Sequence, residues 1–204
     1  MAGLRAAQKE MTRRLLLSTA LELFESKGYA ATTVDDIAAT AGTTRVTFYA
    51  YFPSRSDLMR ELIAELNQLL ERISSPGHGS TANDLVAAVR DGSREAIGAW
   101  LLERSKQWDT IRPYTVAAFE AAAVDPELRG LVDQWIEEVA SDIEAGLDQA
   151  GRFAPATRHM RGVLAFAQLD HVARNWAQDR ERADLDRMID VLTDSWWRLL
   201  SDGA

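Results

Sequence analysis

A chain of 204 residues, 47% of them apolar, has the length for one large domain or two small ones and the composition of a globular protein. It has no cysteine, which excludes a disulfide framework and a thiolate metal site, and no apolar run reaches the roughly 18 residues of a membrane span. The net charge of −8 hides an asymmetry: residues 1–60 hold eight Lys/Arg against six Asp/Glu, and residues 61–204 hold fifteen against twenty-five. The mild basicity is N-terminal, and local potential matters more than net charge for a nucleic-acid partner.

The first helix is expected from about Lys9 to Ser26, with Leu16, Ala20, Leu23 and Phe24 on one face. Leu15-Leu16-Leu17 soon meets Glu22 and Glu25 in helical register, so the segment is a helix rather than a signal peptide. A cytoplasmic protein with no membrane partner is expected. Arg5, Lys9, Arg13 and Arg14 precede or open this helix, either as a basic arm beside a DNA backbone or as a solvated helix end.

Residues 28–58 carry the most specific signal. Thr33 and Asp36 have the spacing of a capping box. Val34, Ile37, Ala38 and Ala41 then form one buried face of a short helix. Gly42 allows the chain to reverse, and Thr44 caps a second short helix from Arg45 to about Tyr51, which Pro53 ends. Ser54 and Asp57 open a longer helix to about Ile73. The second short helix offers donors from Arg45, Thr47 and Tyr49. Arginine pairs with guanine O6 and N7 in the major groove, whereas Thr and Tyr suit phosphate oxygens. Phe48 and Phe52 are read as anchors to the small domain. On spacing alone, the other reading is an ordinary αα-corner.

This stretch resembles the N-terminal DNA-binding domain of TetR-type transcriptional regulators. The matching residues are Gly28-Tyr29, Thr32-Thr33-Val34, Ile37-Ala38, Ala41-Gly42, Thr47, Tyr49, Tyr51-Phe52 and Leu58, preceded by Ala20-Leu21-Glu22-Leu23-Phe24. Val46 stands where the family commonly has a small residue, and Thr43-Thr44 where it has an aliphatic residue followed by Ser. The resemblance implies an all-α fold of about nine helices. It implies a helix-turn-helix DNA-binding domain over 1–53 and a ligand-binding and dimerisation domain over 54–204, connected by the helix 54–73. The DNA-binding residues it implies are Thr33, Thr43, Thr44, Arg45, Thr47, Phe48, Tyr49 and Arg55.

Beyond the motif every segment reads helical. A loop is expected over 74–83, then a helix from about Asp84 to Lys106 that Asp91-Gly92-Ser93 kinks or breaks. Further helices are expected over about Ile111–Ala123, 126–150, 156–178 and 185–201, with Asp125-Pro126 starting the second of these. Its inward residues are Leu128, Leu131, Trp135, Val139, Ile143 and Leu147. Phe166, Leu169, Ala173 and Trp176 share a face of the next helix.

The last helix is apolar on more than one side, which calls for more than one partner. The family pairs its C-terminal helices in a four-helix homodimer interface, placed here at Val163, Ala167, Asp170, Arg174, Leu192, Trp196 and Leu199. A dimer predicts a near-palindromic double-stranded DNA operator. The family also holds a small-molecule effector in its C-terminal domain. Trp100, Arg104 and Trp108 share a face at i, i+4, i+8, and Phe119, Trp135, Phe166, Gln168 and His171 lie on helices that could surround the same space. These are read either as pocket lining or as plain core, with His171 equally placed at the dimer seam. The resulting expectation is a ligand-released repressor with no cofactor and no metal. His78, His159 and His171 form no metal-ligand pattern, and P-loop, dinucleotide and nucleophile-elbow motifs are missing. The alternative is a helical small-molecule-binding protein or enzyme that does not bind DNA.

Overall fold

The computed structural model describes residues 2–70, 83–179 and 184–202, without the side chains of residues 2, 3, 5 and 176–179. The expected loop over 74–82, the helix end at Ile73, His78 and the side chains of Arg5 and Trp176 lie outside what is described. Ten helices and no strand occur among the described residues. They are α1 (Ala2–Lys27), α2 (Val34–Thr40), α3 (Arg45–Tyr49), α4 (Arg55–Leu69), α5 (Asn83–Asp91), α6 (Arg94–Ser105), α7 (Trp108–Val124), α8 (Pro126–Ala150), α9 (Pro155–Asp179) and α10 (Leu185–Leu200). Among the described residues, no helix is long and apolar enough to cross a membrane.

The described residues form two compact units. The first runs to Leu70 and adds Pro113–Val132; the second takes the rest, through Arg112 and from Asp133. The chain therefore passes from one unit to the other within α7, at Pro113, and back within α8. The first unit closes on Leu16, Leu17, Ala20 and Phe24 of α1, Ile37 of α2, Phe48 of α3, and Leu58, Met59, Leu62 and Leu66 of α4, all buried. In the second unit, Leu85, Val89, Ile97, Leu101, Trp108, Ile143, Leu147, Ala165, Ile189, Leu192, Trp196 and Leu200 make one core. Trp196 is its largest fully buried side chain. It donates its indole N–H to the Ala165 carbonyl at 3.1 Å and stacks on Trp100 with ring centroids 5.6 Å apart.

Three expectations change. α1 begins at Ala2 rather than Lys9, so Lys9 lies within the helix beside Arg13 and Arg14, and of the two readings given for these basic residues the helical one holds. Arg13 pairs with Glu61 at 2.5 Å and Arg14 with Glu10 at 2.9 Å. Of the kink or break expected at Asp91-Gly92-Ser93, the structure has the break: Gly92 adopts φ +70° between α5 and α6, and Ser93 caps α6 by accepting from the Ala96 amide. Trp108 opens α7, so it does not share one helix with Trp100 and Arg104. There the Ser105 hydroxyl turns back to the Leu102 carbonyl at 2.8 Å, and the Gln107 carbonyl accepts from Ile111 to start the next helix. Leu131 is exposed and Val132 is buried in its place, because the inner stripe of α8 steps by four residues from Leu128.

Candidate nucleic-acid interface

The helix-turn-helix is held by short-range bonds that follow from residue type. Thr33 and Asp36 complete a capping box: the Thr33 amide and hydroxyl donate to the Asp36 carboxylate at 2.8 and 2.6 Å, and the Asp36 amide donates to Thr33 Oγ1 at 3.1 Å. Lys27 adds an ion pair to the same carboxylate at 2.8 Å. With Lys27 first and Thr33 next, these contacts hold the Asp36 carboxyl well below the usual carboxylate range. α2 ends in a Schellman motif. The Thr43 amide donates to Ala38, the Gly42 amide donates to Ala39, and Gly42 takes φ +66° between them. Thr44 then caps α3, its hydroxyl accepting from the Thr47 amide at 3.1 Å.

α3 divides cleanly between inside and outside. Phe48 is fully buried, edge-on to Tyr49 and tilted on Phe52. As a DNA-contacting residue Phe48 is therefore a correction: its ring lies in the core and anchors the helix from behind. Arg45, Val46 and Tyr49 are exposed. Arg45 reaches Asp35 of α2 at 3.2 Å and the Tyr49 hydroxyl at 3.4 Å, with its guanidinium 5.6 Å from the Tyr49 ring centroid. The Tyr49 hydroxyl first, and Asp35 second, hold the guanidinium charge more firmly than usual. Thr33 and Thr44 are exposed, and Thr43 and Thr47 half-buried, around this helix.

Arg55 has a different task from the one expected. It donates to the Tyr29 carbonyl at 2.9 Å and to the Thr32 carbonyl, and lies 4.1 Å over the Tyr29 ring. It ties α4 to the chain between α1 and α2. The Tyr29 amide donates to Glu120 of α7 at 2.8 Å. Ser56 donates to Asp125 at 2.5 Å, and Arg60 bridges Asp57 and Glu127. The acidic residues at the α7–α8 corner thus grip the ends of α1 and α4. Sequence reading missed Asp35, Lys27, Glu120, Asp125 and Glu127. No local pattern announces a partner ten or ninety residues away.

Residues 16–62 match the family model of bacterial regulatory proteins, tetR family. The HTH-type transcriptional regulator EthR of Mycolicibacterium smegmatis is 33% identical over 134 residues, which cover 64% of this chain and 58% of that protein. The HTH-type transcriptional regulator BetI of Rhizobium meliloti is 30% identical over 176 residues, covering 80% of this chain and 81% of that one. The chain belongs to the TetR family. Its relatives are transcriptional regulators, and this TetR-family chain is a regulator rather than an enzyme. Among solved structures, native NalD, the secondary repressor of the MexAB-OprM multidrug efflux pump in Pseudomonas aeruginosa, has the same fold. It aligns with a TM-score of 0.68 at 22% identity over 96% of this chain and 100% of that one.

The TetR-type C-terminal residues fall into three groups. Trp108 and Phe166 are buried in the second unit, Trp100, Arg104, Trp135 and Gln168 are half-buried there, and Phe166 meets Trp135 edge-on at 6.3 Å. Gln168 accepts from Ser195 at 3.0 Å. Phe119 belongs to the first unit, and His171 is exposed, so neither joins that cluster. Of the expected seam residues, Leu192 and Trp196 are core of their own unit, 5% and 1% exposed. α10 turns its apolar side, with Ile189, Leu192, Trp196 and Leu200, inward, where it packs against α6 and α9. Val163 and Leu199 are half-buried and Ala167 is exposed. Asp170 and Arg174 pair with each other along α9. What α9 exposes instead is Met160, Leu164, Ala167 and His171, spaced i, i+4, i+7, i+11, with Val191 outward on α10.

Proposed function

We propose that this protein is a homodimeric repressor that reads a near-palindromic operator with α3 of each protomer and leaves it when a small, apolar or aromatic effector binds the second unit. The observation that carries the reading is the two-sided α3. Phe48 fixes the helix in the core, while Arg45, Val46 and Tyr49 point to solvent. A buried anchor behind an exposed donor set is what positioning in a major groove demands. Arg45 is the base reader, and Thr33, Thr43, Thr44, Thr47 and Tyr49 are the phosphate partners.

One reading head spans only a few base pairs, so the operator requires two. The stripe of Met160, Leu164, Ala167 and His171 supports a two-fold seam on α9, and α10 also exposes Val191. At 58, 49 and 64% exposure, Met160, Leu164 and Val191 leave apolar area that a second copy would cover. For the effector, the α6–α7 corner of the second unit offers Trp100 and Trp108 beside two buried polar atoms. Arg104 Nε and Gln107 Oε1 make no hydrogen bond to another described residue. A flat ligand with one polar end suits that mixture. The domain reading of 1–53 for DNA and 54–204 for ligand and dimer is a division of roles, and it cuts across the first compact unit, which also holds α4 and Pro113–Val132.

Selection of bound DNA from a random pool, with purified protein at near-physiological salt, tests the reading. Enrichment of two half-sites about one helical turn apart supports it. A folded dimer that enriches no sequence overturns it.

A further inference from the structure

The outward arc of α3 holds one residue for which the fold has no use. At 3.6 residues per turn, positions 45, 49 and 46 fall within roughly 100° of one another, and Phe48 lies outside that arc, roughly 160° from Val46. Arg45 and Tyr49 bring hydrogen-bonding groups; Val46 brings two methyls. Val46 is 81% exposed, more than any other large apolar side chain among the described residues. A β-branched residue also weakens a five-residue helix slightly, and here it returns no packing. An isolated exposed valine is ordinary in itself. This one lies on the surface that also carries the Arg45 cation and the Tyr49 hydroxyl, beside the capped Thr47.

That surface has a chemical complement. In a major groove the base edges present donors and acceptors at every pair, but only one apolar group, the C5-methyl of thymine. Arg45 requires an acceptor edge and electrostatic attraction to phosphate, while Val46 requires an apolar patch within a residue's width of it. We infer that Val46 is a specificity-determining residue that reads a thymine in each half-site through contact with its C5-methyl group, next to the base pair that Arg45 addresses. The inference rests on the DNA-reading role proposed above and adds a base identity to it.

The test uses the full chain and the operator obtained by selection. Each thymine is replaced singly, in both half-sites, by deoxyuridine, which keeps every hydrogen-bonding group and removes only the methyl. For the native protein, one such position per half-site is expected to weaken binding by roughly fourfold, the value of one buried methyl group. Val46→Ala is expected to bind the unmodified operator more weakly and to be indifferent to the methyl at that position alone. Its melting temperature should match the native protein, since the side chain is solvated. If the native protein and Val46→Ala respond identically at every thymine, or if no thymine lies in the half-sites, the inference is overturned while DNA reading stands. If the native protein selects no operator, the DNA-reading role falls, and the inference falls with it.

Discussion

Arg45 sits between two demands. In the free protein Asp35 and Tyr49 hold its guanidinium at 3.2 and 3.4 Å, and both contacts are solvent-exposed. Exposed ion pairs are weak, so a guanine edge in a drier groove can displace Asp35. Arg45→Ala should lower operator affinity roughly 5- to 150-fold and relax preference at one base of each half-site, measured by binding titration on single-base variants. Equal loss on all sequences would mark Arg45 as a phosphate contact. Asp35 faces the same surface with the wrong charge for DNA. Asp35→Asn should tighten binding to every sequence by a few-fold and steepen the salt dependence; unchanged affinity at low salt would rule that out. Asp36, one residue on, acts on folding instead. Lys27 and Thr33 depress its folded pKa below the ordinary carboxylate value of about 4. Its contribution is therefore fully present above about pH 4 and is lost as pH falls through the depressed value. Asp91 and Asp125 are lowered in the same direction, chiefly by the Ser93 and Ser56 hydroxyls. Melting temperature should fall on acidification below about pH 4, and Asp36→Asn should fall less steeply than the native protein.

At the scale of elements, α3 is too short to hold itself together, since isolated helices under about twelve residues are marginal. Its two supports are the Thr44 cap and the Phe48 anchor. Thr44→Ala should cost about 1 kcal/mol and Phe48→Ala about 3–5 kcal/mol in urea unfolding of the first unit. The ordering matters: if the cap cost more than the anchor, α3 would be held locally rather than by the core. The capping box, the Schellman turn and the Thr44 cap were all legible in the sequence, because each bond joins residues three to five apart. The break between α6 and α7 was not legible. No glycine or proline marks it, and the bond of the Ser105 hydroxyl to the Leu102 carbonyl three residues back is one that a serine inside an unbroken helix makes equally well.

For the whole molecule, the proposed dimer turns on which apolar stripe belongs to the protomer and which to a partner. Trp196 and Leu192 lie in the second unit's core, whereas Met160 and Leu164 stay outside. Leu164→Asp should yield a folded monomer by light scattering, with operator binding weakened far more than the loss of one side chain explains. Trp196→Ala should instead unfold the second unit. A folded monomer from Trp196→Ala, with Leu164→Asp still dimeric, would return the seam to the residues first expected. The α7–α8 corner offers a further check at this scale. Removing the Glu120 carboxylate leaves the Tyr29 amide without its acceptor, so Glu120→Ala should cost about 1–3 kcal/mol in stability.

The all-α class, the helix-turn-helix with its caps and its glycine turn, and the outward position of Arg45 were determined by the sequence alone. Those features depend on backbone bonds and periodicities that close within a turn or two, where neighbouring residue types decide the outcome. Tertiary structure decided the rest. Arg55 meets the Thr32 carbonyl 23 residues away, Tyr29 meets Glu120 across 91 residues, and Trp196 finds Ala165 across 31. Amphipathicity says that a helix has an apolar face. Only packing against the other helices says whether that face ends in its own core or at the surface, because burial is a property of the neighbours that chain topology brings together.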